Sequence, residues 1–162
     1  MAGKTFQICS EIGEYKFSGN SVMSLDSSGE QVLLASKHAL NIIDLSSPKH
    51  PHKYPRKNVK WEVNAAQWSP HRSENSIFVV TRNLVAEIYS YLDGKMEHLS
   101  TLHSHTRAIT DLDWSPFNSN LLLTCSADGY AFLWDTRSNS SPKQMFETTQ
   151  CCSASQVKWN KV

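Results

Sequence analysis

The stretch "HSHTRAITDLDWSPFNSNLLLTCSADGYAFLWD", residues 103–135, decides the architecture. A short alternating strand in it ends at Trp114. Ser115-Pro116-Phe117 then turns the chain, because proline presets φ and cannot donate to a ladder. A β-rich run, LLLTCS, ends at Ser126; Asp128-Gly129 turns the chain again, and YAFLWD makes a further strand.

The same order recurs upstream, in "NSVMSLDSSGEQVLLASKHALNIIDLSS" (20–47) and "VNAAQWSPHRSENSIFVVTRNLVAEIYSY" (63–91). The first strand of each unit ends on a marker residue: Leu25, Trp68 or Trp114. From Leu25 to Trp68 is 43 residues, from Trp68 to Trp114 is 46, and Trp159 follows 45 residues later. A period in the forties with several short strands per unit is that of a β-propeller rather than of a helical repeat. A β-sandwich also spaces short strands with turns, but the concordant intervals and the recurring Trp-Ser-Pro favour the repeat. The expected fold is all-β: a partial propeller of about three four-stranded blades plus the first strand of a fourth.

The polar residues of 103–135 have two readings. His103, His105, Asp111, Asp113, Cys125, Asp128 and Asp135 include ligand types found in metal sites, and a His with an Asp and a Ser suggests a hydrolytic triad. However, nothing nearby supplies an oxyanion hole or an activated nucleophile. A buried indole N–H and a buried hydroxyl both need partners, and a His between Asp and Ser can bridge them. This pattern resembles the structural tetrad of WD repeats, which maps onto His105, Ser126, Asp128 and Trp134. The family form has Gly before the His, where this chain has Ser104. In the first two units Ile43 and Tyr89 take the Trp134 position and neither has an Asp-Gly turn, so packing without a polar network is expected to hold them.

The composition is globular, with 40% hydrophobic and 19% charged residues, which argues against disorder. A net charge of +1 gives no reason to expect a nucleic-acid partner, and no apolar run is long enough to span or insert into a membrane. Cys9, Cys125, Cys151 and Cys152 are scattered in a way that suits a reduced protein better than a disulfide framework. The basic stretch KHPHKYPRKNVK (49–60) reads as a solvated connector, with an acidic or phosphate-bearing partner as the alternative. His50-x-His52 and His103-x-His105 lack further ligands at metal spacing, and Ser141-Pro142 reads as part of a polar turn. No metal, cofactor or catalytic residue is expected.

The expected organisation is an N-terminal segment, 1–20, with a candidate closure strand at GEYKF (13–17). Blade 1 and its connector span 21–58, blade 2 spans 59–101, blade 3 spans 102–150, and the first strand of an unfinished blade 4 spans 151–162. Such an arc leaves unpaired edges, so poor solubility or dependence on a covering partner is expected of 1–162 alone.

Beyond the general repeat, "VKWEVNAAQWSPH" (59–71), "LHSHTRAITDLDWSPF" (102–117) and "SASQVKWNK" (153–161) resemble the WD-repeat scaffold subunits of the GATOR/SEA assembly. The resemblance implies a longer protein in which a complete propeller precedes an RWD domain and a zinc-binding RING-like region. It implies a non-enzymatic scaffold relaying amino-acid availability to the target-of-rapamycin kinase, with the other subunits of that complex as partners. It also implies residence in the cytoplasm and peripherally at the lysosome or vacuole. Two rivals stand beside it: a WD-repeat adaptor in ubiquitin ligase or chromatin pathways, and a metal-dependent enzyme built on HLSTLHSH (98–105).

Overall fold

The computed structural model describes residues 21–56, 60–138, 141–148 and 153–160. The expected closure strand at 13–17 and the Cys151-Cys152 pair lie outside the described residues. Three four-stranded antiparallel sheets follow one another along the chain, and no α-helix occurs among the described residues. The first contains β1 (Ser21–Leu25), β2 (Gln31–Ser36), β3 (Ala39–Asp44) and β4 (His52–Pro55). The second contains β5 (Ala66–Trp68), β6 (Ile77–Arg82), β7 (Val85–Leu92) and β8 (Lys95–His103). The third contains β9 (Ile109–Trp114), β10 (Leu121–Ser126), β11 (Tyr130–Asp135) and β12 (Gln144–Glu147). Each is a meander in sequence order, so each is one propeller blade.

The register confirms that the units are equivalent. Leu25 pairs with Val32, Trp68 with Phe78 and Trp114 with Leu122, and these residues pair in turn with Ile43, Tyr89 and Trp134. The middle strands read as almost continuous apolar runs because both faces are buried. On one side Phe78, Val80 and Trp68 pack against Leu33, Leu40 and Ile42 of the first blade. On the other, Val79, Ile88 and Ala86 pack against Leu112, Trp114 and Trp134 of the third. Burying one such large side chain stabilises by about 1.5–3 kcal/mol, so these two seams dominate the cohesion of the arc.

The marker tryptophans also close their turns. Trp114 donates its indole N–H to the Ser119 carbonyl at 2.7 Å, and Trp68 does the same to Asn75. Leu25 has no side-chain N–H to offer, and Asp26 organises its turn instead, accepting the backbone N–H groups of Ser28, Glu30 and Gln31. Gly29, at φ 78°, supplies the left-handed residue of that turn. Leu25 is 53% exposed, whereas Trp68 and Trp114 are buried.

A repeated bond joins the inner strands. The residue before each marker accepts the marker N–H of the next unit: Ser24 from Trp68 at 2.8 Å, and Gln67 from Trp114 at 2.7 Å. Residues 153–160 continue the series, with Asp113 accepting the Trp159 N–H at 2.8 Å and Asp111 that of Val157 at 3.2 Å. Thr110 donates to the Ala154 carbonyl at 2.6 Å, so the segment runs beside β9 in the same direction. It takes the place of a fourth blade's first strand. It joins no ladder among the described residues; besides these side-chain bonds, its Ala154 N–H donates to the Ser126 carbonyl at 3.1 Å.

Candidate functional site

The best-formed polar cluster lies in the third blade, where the connector after β8 crosses onto β10 and β11. Trp134 donates its indole N–H to the Thr124 hydroxyl at 2.8 Å, and Thr124 lies 2.8 Å from His105 Nε2. His105 Nδ1 lies 3.0 Å from Asp128 Oδ2. Asp128 also accepts the backbone N–H groups of Thr106 at 2.9 Å and Tyr130 at 3.0 Å. A neutral imidazole protonated on Nδ1 satisfies every group in one direction: indole to hydroxyl, hydroxyl to Nε2, Nδ1–H to carboxylate. A charged imidazole would present a second N–H to a hydroxyl that already accepts one.

Electrostatics agree with a neutral imidazole. Burial pushes the His105 pKa below its ordinary value, against the opposing pull of the Asp128 hydrogen bond and charge. Burial would raise the Asp128 carboxyl, but the Thr106 and Tyr130 N–H groups, with His105, hold it below the usual range. His105 also stacks on Phe132, with ring centroids 4.3 Å apart.

The structure therefore brings together His105, Asp128 and Trp134, and it corrects the fourth position. The hydroxyl between His105 and Trp134 belongs to Thr124; Ser126 donates to the Arg107 carbonyl at 2.9 Å and accepts the Asp128 N–H at 3.1 Å. The register shifts between Cys125 and Ser126: Cys125 faces Asp111 and Ser126 faces Ile109, so the extra residue of the irregularity is Thr110 on β9. Thr124 stands two residues closer to the rung of Trp134, within reach of its indole. Ser104, in place of the family glycine, is not among the residues with positive φ, so its backbone needs no glycine.

The second blade departs from expectation more strongly, for it has a polar network of its own. Glu87 on β7 accepts the Tyr89 hydroxyl at 2.9 Å and pairs with Arg82 at 2.9 Å and Arg56 at 3.6 Å. The Arg56 and Glu87 side chains are only 7% and 9% exposed. Burial and then the Glu87 charge push the Tyr89 phenol up to about 12. Burial pulls the Arg56 guanidinium below its ordinary value, and Glu87 pulls it back. Glu87 occupies the rung that Phe132 holds in the third blade, and Tyr89 that of Trp134. Arg56 arrives from the connector after β4 as His105 arrives from the connector after β8. The basic stretch 49–60 is thus more than a solvated connector: it contributes β4, with Pro55 at the strand end, and it inserts Arg56 between blades.

Neither network leaves a reactive group facing open space. Thr124 and Ser126 are fully buried and His105 is 2% exposed, each with its polar atoms engaged. Cys125 is buried, and burial raises its thiol pKa. Among the described residues no group of three or more His, Cys, Asp or Glu side chains stands close enough to hold a metal ion. The paired histidines diverge: His103 is exposed and His105 buried, while His52 packs beside Tyr91 at the rim of the second blade. No described helix is long and apolar enough to cross a membrane.

Comparison with known proteins agrees with this architecture. Residues 96–135 match the family model "WD domain, G-beta repeat". Over 148 residues the chain is 36% identical to the GATOR2 complex protein WDR59 of Homo sapiens, covering 91% of this chain and 15% of that protein. It is 38% identical over 145 residues to Maintenance of telomere capping protein 5 of Saccharomyces cerevisiae, covering 88% of this chain and 12% of that one. The WDR59 of Drosophila melanogaster is 29% identical over 92% of this chain. The chain spans about a seventh of the length of the WDR59 relatives it matches, and the similarity to them runs through nearly all of its own length.

Proposed function

We propose that this WDR59-like WD-repeat chain is a non-catalytic interaction scaffold that works as a subunit of a GATOR2-type complex and relays amino-acid availability to the target-of-rapamycin kinase. One observation carries the reading: sequence similarity to subunits named for that complex runs through 91% of the chain. The chemistry of the interior is consistent with it, since the buried hydroxyls, imidazole and carboxylates serve one another rather than a substrate. The partners are the other subunits of the complex, and the place of action is the cytoplasm and the lysosomal or vacuolar surface, reached through those subunits. The tetrad-like cluster of His105, Thr124, Asp128 and Trp134, with Ser126 beside it, is a structural lock. Affinity capture of the tagged full chain followed by mass spectrometry tests the function. Recovery of the other GATOR2 subunits is expected; recovery of ubiquitin-ligase or chromatin components in their place would overturn it.

A further inference from the structure

The dipeptide Ser-Pro occurs four times in the chain, at Ser47-Pro48, Ser69-Pro70, Ser115-Pro116 and Ser141-Pro142, and the structure sorts the four into two kinds. Ser69 and Ser115 follow the marker tryptophans and are 0% and 1% exposed. Each donates its N–H across the turn, to the Ile77 carbonyl at 2.8 Å and to the Leu121 carbonyl at 2.9 Å. Each hydroxyl oxygen also accepts backbone N–H groups: Ser69 that of His71 at 3.3 Å, and Ser115 those of Phe117 at 3.2 Å and Asn118 at 3.1 Å. These two serines build turns and are closed to a second protein.

Ser47 and Ser141 are exposed and lie between strands, in the β3–β4 and β11–β12 loops. Those loops turn the same corner of the first and third blades and start alike: the Asp44 carbonyl accepts the Ser47 N–H at 3.1 Å, and the Asp135 carbonyl that of Ser138 at 2.9 Å. The carboxylates there are already engaged, Asp44 by the Ser46 hydroxyl at 2.6 Å and Asp135 by Arg137 at 2.9 and 2.8 Å. Neither the Ser47 nor the Ser141 hydroxyl makes a hydrogen bond among the described residues. Each serine is followed by proline and then by an exposed lysine, Lys49 or Lys143. The second blade turns this corner with only Asp93-Gly94, at φ 50° and 74°, and has no serine there.

We propose that Ser47 and Ser141 are paired sites of phosphorylation by a proline-directed serine/threonine kinase. The serine oxygen attacks the γ-phosphorus of ATP, the bond to the β,γ-bridging oxygen breaks, ADP leaves, and the hydroxyl proton passes to the kinase's catalytic carboxylate. A kinase takes its substrate serine in extended backbone. Proline favours that shape in the residue before it and, having no N–H, leaves no donor to satisfy in the pocket that reads it. A turn role alone does not explain these two hydroxyls, because Ser69 and Ser115 show that a Ser-Pro turn in this chain uses its hydroxyl. Each phosphate brings about −1.5 to −2 of charge, so two would take the chain from +1 to about −2 or −3. At Ser141 the phosphate competes for Lys143, which Asp135 holds at 3.7 Å.

The proposal goes beyond the scaffold reading and does not depend on it. The test is incubation of the full chain with MgATP and a mitogen-activated protein kinase or, separately, a cyclin-dependent kinase, with the modified residues mapped by mass spectrometry. Phosphate is expected on Ser47 and Ser141 and on neither Ser69 nor Ser115. Ser47→Ala and Ser141→Ala should each lose their own phosphate and keep the other. Pro48→Ala and Pro142→Ala should lose it at the preceding serine. Absence of phosphate from either serine with both kinases, phosphate on Ser69 or Ser115 of the folded chain, or retention after the proline substitutions would overturn the proposal.

Discussion

The second and third blades solve one mechanical problem with different chemistry. In each, a side chain from the connector that follows the preceding blade's outer strand reaches the third strand at the same rung. In the third blade it is a neutral imidazole, stacked on Phe132 and threaded through Thr124 to Trp134. In the second it is a guanidinium, set against a carboxylate that also holds Tyr89 and Arg82. The rung is therefore the constant of the design, while its filling differs: both His105 nitrogens are hydrogen-bonded, whereas Arg56 Nη2 is buried beside Glu87 as an ion pair at 3.6 Å without a hydrogen bond. A buried ion pair is more fragile to single substitution than a neutral chain, because losing one partner strands a charge.

That contrast sets the order of expected effects. Glu87→Ala leaves Arg56 buried without its carboxylate and should cost about 3–5 kcal/mol. Replacing Arg56 and Glu87 together by Met and Leu should cost less than Glu87→Ala alone, and urea unfolding of the single and double variants measures this. A double variant at least as damaged as the single one would break the analogy between the networks.

Thr124→Val removes the hydroxyl that both His105 and Trp134 use, and should cost about 1–3 kcal/mol. Ser126→Ala, which loses bonds at the connector, should cost about 0.5–1.5 kcal/mol by the same measurement. Equal losses would return the central role to Ser126.

The smallest effect is one of pH. The folded pKa of His105 lies below its unfolded value, so its stabilising contribution is complete above the ordinary imidazole pKa. It is lost as pH falls through the depressed folded value, at no more than about 1.4 kcal/mol per pH unit. Thermal unfolding between about pH 7.5 and about pH 5.5 should therefore show a shallower slope for His105→Gln than for the natural chain. An unchanged slope would mean that the imidazole is not held neutral.

Much of this was legible beforehand for local reasons. The marker interval, the turn residues and the alternating runs are carried by neighbours in sequence, so the blades could be counted and Ile43, Tyr89 and Trp134 placed on one rung. His105, Asp128 and Trp134 stood out because the residue types match a recurrent pattern. The pattern pointed to Ser126 alone; Thr124, two residues earlier on the same strand, fills the position because it is the hydroxyl within reach of both His105 and Trp134, which only the packed sheets reveal. The second blade's network was missed because no motif joins Arg56 to Glu87, 31 positions apart.

Sequence by itself determined the repeat, the all-β class and the turns, because strand period and turn dihedrals are properties of short segments. It also placed Trp159 in step with the earlier markers, leaving to the structure how that segment is held: through Asp111 and Asp113 rather than by a ladder. Which hydroxyl, guanidinium or carboxylate becomes a buried lock, and which Ser-Pro stays in solvent, was decided only when the sheets packed. Burial and the pairing of polar atoms depend on residues that the chain brings together from different repeats.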